Sequence, residues 1–182
     1  MRAAQAALAA ALREHALREG DFTLASGRRS SWYVDGRQVT FRGDCVEIVG
    51  EAILDAVRAG GGADFDAVGG LAIGADPVSV AVAFVAGKRA FAVRKEAKGH
   101  GVAGRIAGPL RAGDRVLVVE DTVTSGASLL TAADVIGEFG CAVVGAACLL
   151  DRADELAPAL HARGIPYFPA LVATDLGFAI GS

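Results

Sequence analysis

Lysine is scarce in this chain: three Lys stand against fifteen Arg among 182 residues, and the formal net charge is −3. Without a basic excess there is no surface to neutralise a run of phosphates, which excludes a general nucleic-acid or membrane-surface binder. Long hydrophobic runs are also lacking. The longest nearly uncharged stretch, residues 67–87, is interrupted by Asp76-Pro77 and thinned by glycine, so no span of about 18 apolar residues survives. The mean hydropathy of +0.42 owes more to small residues than to bulky ones, because 38 Ala and 24 Gly make up 62 of the 182 positions. Cysteine is sparse and odd in number: Cys45, Cys141 and Cys148, with no CxxC spacing. Cys141 and Cys148 are expected on opposite faces of one strand, so they should not pair, and a reduced, cytoplasmic setting follows. The Ala-rich stretch 3–11 runs straight into Arg13, Glu14, Arg18 and Glu19 without a cleavage site. It reads as a surface helix rather than a leader. No repeat, linker or low-complexity tail divides the chain, so 1–182 is expected to be one domain of a length sufficient to bury a core.

Two periodicities alternate after residue 40. Cys45, Val49, Ile53, Ala56 and Val57 recur at helical spacing, opposite Glu47, Glu51, Asp55 and Arg58, and Gly60-Gly61-Gly62 ends the pattern. Short apolar runs at 67–68, 90–93, 116–119 and 142–150 read as strands buried on both faces. Helical stretches are expected at 78–85, 127–139 and 153–162. Strand and helix in alternation predict an α/β domain with a mostly parallel sheet flanked by helices. In such folds the ligand lies beyond the carboxyl ends of the strands. Each apolar run is followed there by polar residues or glycine: Gly69-Gly70, Arg94-Lys95-Glu96, Glu120-Asp121 and Asp151-Arg152. Any one such pair could simply mark re-entry into solvent; four together favour a polar, phosphorylated ligand.

Residues 116–128 read VLVVEDTVTSGAS. A buried strand delivers two acids, then Thr122, Thr124, Ser125, Gly126 and Ser128, then a helix beginning near Ala127. Backbone N–H groups at a helix start favour an anion, and the hydroxyls add donors. The acids would be repelled by that anion unless they accept hydrogen bonds from ligand hydroxyls or face a metal. A sugar phosphate satisfies both demands. Neither G-x-x-x-x-G-K-[ST] nor G-x-G-x-x-G occurs. The run resembles the phosphoribosyl-pyrophosphate (PRPP) motif of the type I phosphoribosyltransferases. The resemblance implies that Glu120, Asp121, Thr122, Val123, Thr124, Ser125, Gly126, Ala127 and Ser128 bind PRPP.

Two of the three lysines fall within residues 94–104, RKEAKGHGVAG. Lys is a compact, flexible point charge where Arg is a planar fork. Three glycines around His100 make the segment pliable enough for a lid. The composition serves a solvated loop equally well, but RKEAKGHG is similar to the catalytic loop of the orotate phosphoribosyltransferases. That resemblance implies a lid over 94–108 reaching across a homodimer. Arg94, Lys98 and His100 would then contact the pyrophosphate of PRPP in the partner's site, and Lys95 in its own. Lys98, His100 and Asp121 would be the catalytic residues. Ala107 stands where the family often carries Glu.

The likeness extends from Phe22 to Arg152. FTLASGRRSSWYVDGR (22–37) is similar to the family's hood over orotate, within an N-terminal hood segment 1–40; Ala25 stands where some members carry Lys. Trp32 has two places open to it, stacked on a planar base or buried as core. GGLAIGAD (69–76) matches the pyrophosphate loop. Thr124 and Arg152 match the orotate contacts, and a guanidinium pairs bidentately with a carboxylate such as orotate's. A surface pair between Arg152 and Asp151 is the plainer alternative. The resemblance implies Mg²⁺ bound mainly through the substrate's phosphates, with no protein metal site. It implies PRPP and orotate as substrates, and neither nucleic acid nor membrane as a partner. A type I enzyme for another base should lack this lid, a PRPP-sensing regulator would need a nucleic-acid surface, and a dead scaffold should not keep the lid's Lys and His. Residues 153–182 carry no signal of their own.

Overall fold

The computed structural model describes residues 2–23, 29–97, 102–153 and 155–180. Helix α1 (Ala3–Ala11) runs through a wider turn, Leu12–Ala16, into the antiparallel hairpin β1 (Leu17–Thr23) and β2 (Arg29–Val34). The short α2 (Arg37–Thr40) and the long α3 (Val46–Ala59) follow. The α/β body then alternates: β3 (Ala67–Leu71), α4 (Ala75–Ala86), β4 (Arg89–Val93), β5 (Ile106–Ala107), β6 (Arg115–Val123), α5 (Ala127–Glu138), β7 (Ala142–Asp151), α6 (Ala157–His161) and β8 (Tyr167–Val172). The main sheet has the order β5-β4-β3-β6-β7-β8 and is parallel apart from β5.

The sheet is a wall between two apolar layers. On one side α1, the wider turn after it, α3 and α4 contribute Leu8, Leu12, Val49, Ile53 and Val82 against Val68, Leu117, Val119 and Leu149. On the other, α5 and α6 contribute Leu129, Ile136 and Leu160 against Val116, Val118 and Cys148. The abundance of small residues sets the spacing of these layers. A Cβ added at Gly70 would collide with the carbonyl oxygen of Val119 and come within 2.6 Å of the Ala75 side chain. Only glycine lets β3 lie this close to β6 and to the start of α4. From β3 the chain crosses to β4 on one side, while β6 lies on the other. The order therefore reverses between β3 and β6, and a crevice opens at their carboxyl ends.

The α/β architecture and the α3, α4 and α5 positions agree with the periodicity, and several details differ. The expected helix over 153–162 is confined to Ala157–His161, with Pro158 in its first turn, where a missing N–H and a fixed φ suit a helix start. Helix α1 is no mere surface helix: Leu8 and Ala9 are fully buried, and the Gln5 amide donates to the Ala170 carbonyl in β8. Glu120 and Asp121 lie inside β6, which runs on to Val123, and Asp151 is the last residue of β7, so none of the three is the first residue beyond its strand. Cys141 precedes β7, so it does not share a strand with Cys148, and all three cysteines are free thiols. The β1–β2 hairpin, β5 and β8 are present in addition to the expected strands. Pro169 sits in β8, the edge strand, where a missing donor is tolerated. Among the described residues no helix is long and apolar enough to cross a membrane.

Candidate active site

A cavity of about 710 Å³ occupies the crevice at the β3/β6 switch point. Its floor is the end of β6, the loop 124–126 and the first turn of α5. One wall is the β3–α4 loop with Ile73 and Gly74, where the Ala72–Ile73 peptide is cis. Tyr33, Asp35 and Arg37 overhang from the hairpin and α2, Lys95 enters from the end of β4, and Arg152 and Glu155 close the far side.

The loop is shaped by one residue above all. Gly126 caps α5 at φ 73° and ψ 9°, a left-handed conformation that costs other L-residues energy. This turn directs the start of α5 at the cavity, and the partial positive charge of that helix end favours an anion there. The acids sit on the opposite side of the same floor. Asp121 Oδ1 accepts from the Thr122 N–H at 2.6 Å, and Glu120 Oε1 accepts from the Asp121 N–H at 3.2 Å. The Thr122 hydroxyl is buried with no hydrogen-bond partner among the described residues. Gly74 lies directly across the gap. A methyl group on it would stand 3.0 Å from Asp121 Oδ1 and 3.1 Å from Glu120 Oε1.

Glu120 is 7% exposed, and burial, reinforced by the neighbouring Asp121 charge, pushes its carboxyl up to about 8; Lys95 works in the opposite sense. The floor thus holds a carboxyl that accepts hydrogen bonds best once a cation or ligand donors approach. Arg37 is clamped by Asp35 at 2.7 Å. That ion pair holds Asp35 below the usual carboxylate range and raises Arg37, which also feels Asp121. Arg152 is almost fully buried. Its Nη2 donates to Ser30 Oγ at 3.1 Å and to the Trp32 carbonyl at 3.2 Å, and its guanidinium carbon lies 4.0 Å from the Trp32 ring centre. Trp32 in turn stacks on Phe178 at 4.5 Å.

Lys95, every residue from Glu120 to Ser128, and Arg152 line this one cavity. Arg94 does not: its guanidinium donates to the Gly104 and Ile106 carbonyls and ties the two ends of the 94–108 segment together. Lys98 and His100 lie outside the described residues. Of the two places open to Trp32, the structure assigns the core, with no exposed surface; the aromatic residue on the cavity is Tyr33. The surface pair of Arg152 with Asp151 is likewise overturned, because both side chains are buried. Ile73 and Glu155 were not singled out from sequence. Ile73 lay inside a motif read only as a segment, and Glu155 follows Arg152 by three residues with nothing to mark it.

Residues 44–163 match the phosphoribosyl transferase domain, and the chain belongs to that family. Within it the chain groups with the orotate phosphoribosyltransferases. It is 43% identical over 176 residues to the orotate phosphoribosyltransferase of Corynebacterium glutamicum, covering 96% of this chain and 94% of that one. The fold superposes on a phosphoribosyltransferase from Corynebacterium diphtheriae with a TM-score of 0.85 and 39% identity, over 97% of this chain and all of that one. It superposes on the orotate phosphoribosyltransferase of Mycobacterium tuberculosis, solved with PRPP, with a TM-score of 0.80 and 37% identity, over 96% of this chain and 99% of that one.

Proposed function

We propose that this chain transfers the 5-phosphoribosyl group of PRPP to orotate, yielding orotidine 5′-monophosphate and pyrophosphate in pyrimidine nucleotide synthesis. The observation that carries the reading is the single floor on which an acid pair, Glu120 and Asp121, passes directly into the hydroxyl-bearing start of α5. The 5-phosphate is bound by the N–H groups and hydroxyls of residues 124–128, and the ribose diol by Glu120 and Asp121. Pyrophosphate lies toward the 72–74 loop and Lys95. The orotate carboxylate is directed to Arg152, with Thr124 beside the ring.

Mg²⁺ would be held mainly through the phosphates of PRPP, in keeping with its reluctance to shed its hydration shell, and would help to offset the charge of the departing pyrophosphate. Among the described residues no three His, Cys, Asp or Glu side chains gather into a cage. In the transfer the C1–O bond to pyrophosphate breaks and a C1–N bond to the orotate anion forms. Positive charge develops on the ribose ring, and Asp121 balances it across the short gap of the floor. Negative charge develops on the departing pyrophosphate, where Lys95 and, from the partner's lid, Arg94, Lys98 and His100 offset it. Residues 1–40 act as the hood and residues 94–108 as the lid that excludes water. In this chain Arg94 braces its own loop, away from its own cavity. The enzyme is a cytoplasmic homodimer on this reading.

The test is pyrophosphate release from PRPP and Mg²⁺ with orotate, uracil, hypoxanthine or adenine as acceptor. Turnover is expected with orotate. Turnover with a purine and none with orotate would overturn the assignment of the acceptor.

A further inference from the structure

We propose that Tyr167, acting through Asp151, is a positioning residue for Arg152 and thereby for the pyrimidine acceptor. This rests on the reading of Arg152 as the contact for the acceptor's carboxylate. Tyr167 opens β8, in the part of the chain where the sequence carried no functional signal. Its hydroxyl nevertheless reaches the back of the site and donates to Asp151 Oδ2 at 2.9 Å. Asp151 Oδ1 accepts from the Ala153 N–H at 3.0 Å, and the Arg152 N–H donates to the Val123 carbonyl at 2.9 Å. The Asp151 carboxylate is thus the pivot of the tight turn 151–153. That turn sends the Arg152 side chain back across the cavity to Ser30 and Trp32.

The donor direction at Tyr167 is settled by its surroundings. Burial holds the phenol far above its ordinary range, so it keeps its proton. With that proton given to Asp151, the Cys148 thiol, 3.0 Å away, donates to the tyrosine oxygen. Cys148 is itself held as a thiol by complete burial, and it lies in register with Glu120 on the neighbouring strand. Tyr167 therefore fixes the pivot of the Arg152 turn without touching the cavity, since it is not among the residues that line it. A hydrogen bond to a buried carboxyl group is worth enough to set a turn, because its loss withdraws a donor from a polar group held out of water.

Steady-state kinetics on the intact enzyme test the assignment, with orotate and PRPP varied in turn. Tyr167→Phe removes only the hydroxyl. It should raise KM for orotate about tenfold and leave KM for PRPP within about twofold, the size expected from one charge-assisted hydrogen bond. Cys148→Ala should lower the melting temperature without a selective effect on orotate. If Tyr167→Phe lowers only the melting temperature, or if Cys148→Ala raises the orotate KM equally, Tyr167 is structural and the proposal fails. Arg152→Ala separates the underlying reading: a selective loss of orotate binding upholds it, whereas equal losses for both substrates overturn it independently of Tyr167. Should Tyr167→Phe not fold, Asp151→Asn keeps one acceptor for Ala153 and is expected to show the same selective rise. An unchanged orotate KM in that variant would also refute the proposal.

Discussion

Gly126→Ala adds a single methyl group at the hinge between the acid pair and α5. The backbone there stands at φ 73°, where a Cβ costs about 1–2 kcal/mol. The new carbon would also collide with the Leu156 side chain, with Cγ and Cδ2 both at 2.8 Å. Leu156 is fully buried in the layer that holds Leu129 and Leu160, so it cannot swing aside without disturbing its neighbours. Overpacking of that kind adds about 1–3 kcal/mol. The sum, about 2–5 kcal/mol, corresponds to a melting temperature lowered by about 4–20 °C for a chain of this size. Where the loop moves to relieve the clash, stability is partly spared and the anion-binding N–H groups lose their aim. Thermal unfolding and the KM for PRPP must therefore be read together. Adding Leu156→Ala separates the two causes: it removes the collision but not the strained φ. In the Gly126→Ala background it should cost less than it does alone, a departure from additivity expected only for groups in contact. A melting temperature and a PRPP KM both unchanged in Gly126→Ala would refute the reasoning, and strict additivity would remove its steric half.

Glu120 gives the fold a pH signature. The carboxyl titrates near 4.5 when exposed and at about 8 in the folded chain, so between those values the folded state holds a proton that the unfolded state has released. Stability should therefore fall as pH rises from about 4.5 to about 8 and level off above it. Glu120→Gln should flatten that slope in urea titrations, and an identical slope in both proteins would show that Glu120 is not its source. The trans lid has its own test, in which a Lys98→Ala chain is mixed with an Asp121→Asn chain, each inactive alone. With random exchange, one site in a mixed dimer is intact, and activity should return to about a quarter of wild type by symmetry. No activity in a verified heterodimer would mean that the lid closes over its own subunit.

Local chemistry was legible without coordinates wherever one continuous segment carries it. Residues 116–128 hold strand, acids, hydroxyls and helix start in a single run, so their spacing alone puts Glu120, Asp121 and the 124–128 loop on one floor. The parallel sheet and the bodies of α3, α4 and α5 were readable for the same reason, because apolar periodicity records which face of an element is buried. What the tertiary structure decided depends on residues far apart in the chain. Trp32 is core rather than a ligand platform because Phe178, from beyond the last strand, covers one face and Arg152 the other. Arg152 faces the cavity rather than solvent because Ser30 and Trp32 receive it from 120 residues away. The short β5, the β1–β2 hairpin and β8 declare no strong apolar period; β2 alternates strictly in burial, but polar Ser30 is on its buried face and Tyr33 on its exposed one. The reach of Tyr167 from the start of β8 to Asp151 at the end of β7 has no local trace at all. A sequence reports what each residue needs from its neighbours in the chain; which distant residue meets the need is settled only when the sheet brings the strands side by side.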